Sequence, residues 1–132
     1  MLPKRRYRPL NPTERALIEH MLSANERGYA TLRAQLPSAL HVAHWFPGSP
    51  SFDIQVADDA PLYSDDSTRS GDIGNIVGAY GVYRDGAHPV DSEQIGDIFL
   101  WVKEGRLAAL EYAWTSERMP LMLPAISQLS AD

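Results

Sequence analysis

Residues 98–114, Ile98-Phe99-Leu100-Trp101-Val102-Lys103-Glu104-Gly105-Arg106-Leu107-Ala108-Ala109-Leu110-Glu111-Tyr112-Ala113-Trp114, decide the fold. Ile98 to Val102 is a dense apolar run that reads as a strand, Glu104-Gly105 turns the chain, and Leu107 to Trp114 returns. Apolar groups on both faces of Ile98–Val102 predict that these strands lie centrally in a sheet. Upstream, Asn75 to Tyr83 repeats the β pattern, with Ile76, Tyr80 and Val82 on one face and Val77, Ala79 and Tyr83 on the other. Asp85-Gly86 supplies the pair preferred by a tight hairpin turn. Phe52, Ile54 and Val56 alternate with Asp53 and Gln55, and Leu40 to Trp45 reads as a further strand, closed by the turn Pro47-Gly48-Ser49-Pro50. Between these strands, Ala57 to Asp72 carries neither period and is rich in Asp and Ser. It is expected to be a long exposed loop, either functional or poorly ordered.

Before residue 39 the period is helical. Asn11 can cap, Pro12 suits a first helical position, and Glu14 can close a capping box. Leu17, Ile18, Met21 and Leu22 form one apolar stripe, and Tyr29, Leu32 and Leu36 a second, with Gly28 between them and Pro37 as a stop. After the hairpin, Pro120, Pro124 and Ala125–Leu129 suggest an irregular tail with one helical turn. The fold class is therefore α+β: two N-terminal helices packed on an antiparallel meander of about five strands. The 132 residues fit a single domain, 1–132, with residues 1–10 as a basic flexible arm.

The net charge of −5 conceals an asymmetry. Residues 1–33 carry seven basic side chains against three acids, a balance of +4, whereas residues 53–104 carry eleven acids against three bases, a balance of −8. Such an acidic half repels a phosphate backbone and favours a cationic partner, chiefly through the encounter rate. The basic start, Lys4-Arg5-Arg6 with Arg8, is too short and Pro-interrupted to argue for nucleic acid. Glu14, Arg15, Glu19 and His20 interrupt any secretion-signal core, and no apolar run approaches a membrane span of roughly 20 residues. The expectation is a cytoplasmic protein with no membrane and no nucleic-acid partner.

Motifs for chemistry are sparse. The chain has no Cys, which removes disulfides, thiolate metal sites and thiol catalysis. His41 and His44 form H-x-x-H, but residues three apart on a strand point to opposite faces, so no metal site is expected. Gly71, Gly74 and Gly78 lack the Walker lysine and the strand–glycine–helix order of a nucleotide site, and are assigned to turning and a bulge. No serine nucleophile motif occurs. No catalytic residue and no cofactor is assigned. The acidic pairs Asp58-Asp59 and Asp65-Asp66 show no calcium-loop pattern. With Asp72 in support, they flank Tyr63, an aromatic with the composition of a binding-surface anchor inside an acidic rim, loop disorder being the competing explanation.

The opener Arg8-Pro9-Leu10-Asn11-Pro12-Thr13-Glu14, the Asp85-Gly86 turn, and the closing Gly105-Arg106-Leu107-Ala108-Ala109-Leu110-Glu111-Tyr112 strand with Trp114 resemble a group of short bacterial proteins of unknown function. Small, acidic, Cys-free α+β proteins of this kind in turn resemble immunity proteins of bacterial toxin systems. What the resemblance implies is a cytoplasmic protein that neutralises a toxin by binding it, often through an acidic surface; it carries over no residues, and the acidic loop itself points to partner contacts at Asp58, Asp59, Tyr63, Asp65, Asp66 and Asp72. Two alternatives stay open: a small-ligand-binding or enzymatic domain with a pocket between helices and sheet, and a module that self-associates through an exposed strand edge.

Overall fold

A computed structural model of the chain describes residues 7–64 and 74–131. The described chain opens with a two-residue strand, β1 (Arg8–Pro9), then α1 (Pro12–Met21), α2 (Tyr29–Gln35) and a 3-10 turn, Leu36–Ser38. Next come β2 (Leu40–His44), β3 (Phe52–Gln55), β4 (Asn75–Tyr83), β5 (Gln94–Lys103) and β6 (Arg106–Trp114), and after a second 3-10 turn, Ile126–Gln128, the described residues close with β7 (Leu129–Ala131).

α1 begins as its residues dictate. Asn11 Oδ1 accepts from the Glu14 N–H at 2.8 Å, and Glu14 Oε1 accepts from the Asn11 N–H at 2.9 Å, with Pro12 at the start of the helix. The capping box therefore satisfies two otherwise orphaned donors. Gly28 stands at the head of α2 with φ +88°. A Cβ there would come within 2.3 Å of the Tyr63 ring, so the missing side chain also makes room for an aromatic from a distant loop.

All strand pairs are antiparallel, in the order β1-β2-β3-β6-β5-β4-β7. The α+β class holds, but the expectation of about five strands in a meander after two N-terminal helices is corrected on three points. There are seven strands among the described residues; β1 precedes the helices and pairs with Leu40 and His41; and only β4, β5 and β6 form a simple meander. Beyond that meander, β6 returns to pair with β3 through Phe52↔Leu110 and Asp53↔Ala109. Residues 57–64, which follow β3, lie against the β5–β6 turn: the Tyr63 N–H donates to the Gly105 carbonyl at 2.9 Å, and Arg106 Nη2 donates to the Asp58 carbonyl at 3.0 Å.

The β5–β6 turn is a two-residue loop with Glu104 at φ +52° and Gly105 at φ +80°, the pair of positive values that matches strand twist. The expected tight turn at Asp85-Gly86 is instead a longer connection, residues 84–93, closed by the Arg84 N–H donating to the Glu93 carbonyl at 2.8 Å. Only Gly86 of that pair has positive φ, at +101°, so the hairpin geometry that needs two such residues is not formed there.

Between helices and sheet, Leu17, Ile18, Met21, Leu22, Leu32 and Leu36 meet Phe52, Ile54, Val82, Ile98, Leu100, Leu107, Leu110 and Tyr112 in one buried cluster. Each such large side chain contributes about 1.5–3 kcal/mol relative to exposure. One polar group is set into this layer. Gln35, with no exposed surface, donates from Nε2 to the carbonyls of Pro61 (2.6 Å) and Gly105 (2.8 Å) and accepts at Oε1 from the Leu107 N–H (2.9 Å). It ties α2, the loop after β3 and the β5–β6 hairpin together with every bond it can usefully make.

Candidate functional site on the open face of the sheet

The helices cover one face of the sheet. Along β5, Ile98, Leu100 and Val102 point into the buried cluster, so Asp97, Phe99 and Trp101 point the other way, and their cross-strand partners share that open face. One row runs Asp53, Ala109, Trp101, Ile76; the next runs Glu111, Phe99, Ala79; the third runs Ala113, Asp97, Gly81. Ile76 is 44% exposed, while Phe99 and Trp101 are half-buried. Ala109 is only 5% exposed although it lies on this face, so its larger neighbours there cover it.

Two indole–carboxylate pairs stand on the face. Trp101 Nε1 donates to Glu111 Oε1 at 2.9 Å, and Trp45 Nε1, from the segment just after β2, donates to Asp53 Oδ1 at 3.0 Å. Among the described residues, nothing donates to the second oxygen of Glu111 or of Asp53. Asp97, a third carboxylate, accepts from Gln94 Nε2 at 3.0 Å. The bases Lys103 and Arg106 stand at the β5–β6 turn, and there they line an open groove of about 300 Å³ with Gln55 and Asp58. The face is therefore a shallow aromatic surface whose centre is negative.

The residues chosen from sequence fall as follows. Asp58 and Asp59 are exposed in the turn after β3, and Asp58 adjoins the turn end of the open face. Tyr63 is half-buried, with its ring against Gly28, and packs on the core cluster. Asp65, Asp66 and Asp72 lie outside the described residues. Sequence reasoning missed Trp45, Asp53, Trp101 and Glu111. Turn geometry alone would not have found the pair: a two-residue turn at Glu104-Gly105 sets Trp101 opposite Ala108, and only the register shift between Trp101 and Val102 brings Trp101 opposite Ala109, with Glu111 on the same face.

A second polar group lies at the far side of the sheet. Glu14, buried, receives Arg8 Nη1 and Nη2 at 2.8 and 2.9 Å. His41, 4% exposed, stacks on Phe52 at 4.4 Å and places Nε2 3.8 Å from Glu14 Oε2, too far for a hydrogen bond. The His41 and His44 rings touch edge-on at 4.7 Å. Their expected opposition fails because the β2–β3 register shifts between the two residues, breaking the alternation. Burial and the nearby Arg8 cation hold the His41 pKa below its ordinary value, with Glu14 opposing. For Glu14, burial pushes the carboxyl upward, but the Arg8 hydrogen bonds and the Asn11 N–H outweigh it and hold it low. Among the described residues no group of three or more His, Asp or Glu side chains is placed to hold a metal ion, and no helix is long and apolar enough to cross a membrane.

Compared with known proteins, the chain matches no family model, no curated protein and no solved structure.

Proposed function

We propose that the chain is a non-catalytic protein-binding domain for a cationic protein, and in finer terms an immunity-type inhibitor that neutralises a bacterial toxin by covering its basic surface. The observation that carries this is the open face, where two indoles each hold a carboxylate with one oxygen left to accept from a partner. Aromatic groups supply contact area, and carboxylates already ordered by an intramolecular hydrogen bond lose little freedom on binding. The −8 balance of residues 53–104, with Asp58 and Asp59 beside the face, favours encounter with a basic surface. An immunity protein of this kind acts in the cytoplasm.

A second reading, a small-ligand or enzymatic domain, draws on an open groove of about 640 Å³ lined by Arg84, Glu93, Tyr112, Ser116 and Arg118. It lies at the end of the sheet, and the space between helices and sheet is filled by side chains such as Leu17, Ile18, Leu100 and Leu110. Binding at the open face is the better supported of the two.

The test begins with the proteins encoded beside this gene, each expressed alone and with this chain. A toxic neighbour that this chain renders harmless, with an affinity that falls about tenfold or more as salt is raised, is the expected result. Neighbours that are all metabolic enzymes, with no toxicity for this chain to relieve, would count against the immunity reading.

A further inference from the structure

Resting on the reading of a cationic partner, we infer that the open face selects arginine over lysine, through two subsites each made of an indole face and the free oxygen of its carboxylate. The first subsite is Trp101 with Glu111, the second Trp45 with Asp53. In each, the indole N–H fixes one carboxylate oxygen at the rim of the ring, leaving the other oxygen beside a π surface. A guanidinium is planar, weakly hydrated and always charged; it can stack on the ring and donate to the adjacent oxygen in one pose. An ammonium is a compact and strongly hydrated charge that gains less from the ring and must shed more water. Charge complementarity therefore asks for a cation, and the indole beside each carboxylate asks for a flat one.

The subsites are also spaced. Asp53 pairs with Ala109, and Glu111 lies two residues further along β6, so the two carboxylates occupy a diagonal of adjacent strands. That diagonal is about 7–8 Å between Cα atoms. Alternate side chains of an extended strand repeat at about 6.8 Å. The matching partner feature is an exposed segment with arginines at alternate positions, laid across β3 and β6.

The probes are two acetylated and amidated peptides of alternating arginine and serine, or lysine and serine, titrated at low salt into nitrogen-15-labelled protein while the three indole N–H signals are followed. The expected result is movement of the Trp45 and Trp101 signals with Trp114 unmoved, and arginine binding at least about threefold tighter than lysine. The double variant Asp53→Asn/Glu111→Gln keeps an acceptor for each indole but removes both charges, and should weaken the arginine peptide by about tenfold or more. Equal affinity for the two peptides, or unmoved Trp45 and Trp101 signals, overturns the arginine inference. If both peptides still bind and Asp58→Lys/Asp59→Lys abolishes it, the cationic-partner reading survives without these subsites. If neither peptide binds, that reading falls as well.

Discussion

At the scale of single residues, the buried polar set Arg8, Glu14 and His41 has a predictable response to pH. His41 is held below its ordinary pKa of 6.5 by burial and by Arg8, so the unfolded chain takes up this proton more readily than the folded one. Its contribution to stability is fully present above about pH 6.5 and is lost as the pH falls through the depressed folded value. Glu14, held below 4.5, has the same sign and adds a second loss below about that pH. The groups facing His41 are Arg8, Glu14 and His44, and none of them reverses this balance. Urea unfolding followed from pH 8 to pH 5 should show a midpoint that falls with acid, and His41→Leu should flatten that fall. An unchanged slope in the variant would mean that His41 is not the group responsible. Little of this was legible beforehand: the Asn11–Glu14 capping box was, but the arrival of Arg8 and His41 at the same carboxylate depends on β1 pairing with β2, a contact with no periodic signal.

Among the elements, the strands longer than three residues were legible because their apolar alternation is long enough to count, from Leu40 through Trp114. β1 and β7, at two and three residues, show no period and were missed. Ala57–Asp72 looked structureless because its order, as far as Ser64, comes from elsewhere: Gln35, Gly105 and Arg106 hold it against the hairpin end. That arrangement makes Gly105 a joint of two elements. A Cβ there would meet the Tyr63 carbonyl at 2.9 Å and the Leu62 Cβ at 3.1 Å, at a backbone φ of +80°. Gly105→Ala should therefore lower stability by about 1–2 kcal/mol in urea unfolding, by strain at positive φ and displacement of the loop. A change below about 0.3 kcal/mol would show that the loop yields freely and that the turn tolerates a side chain.

For the whole molecule, the uneven charge was the part of the function most legible in the sequence, since it needs only counting. Its placement was not. The acids closest together in sequence drew attention to 57–72, whereas Asp53 and Glu111 are separated by 58 positions and meet only because β3 pairs with β6. Phe99 and Trp101 were readable as central-strand residues, but not as an uncovered surface, because nothing in their own pattern tells which sheet face the helices take. The most direct measurement of the central claim compares two charge reversals of equal size, Asp53→Lys/Glu111→Lys on the face and Asp58→Lys/Asp59→Lys on the loop. Each is titrated at low salt against the alternating arginine peptide, after unfolding midpoints confirm that both are folded. The face variant should lose affinity by about thirtyfold or more and the loop variant by no more than about threefold, the latter being a loss of long-range attraction alone. Equal losses, or a larger loss in the loop variant, would contradict the assignment of binding to the open face.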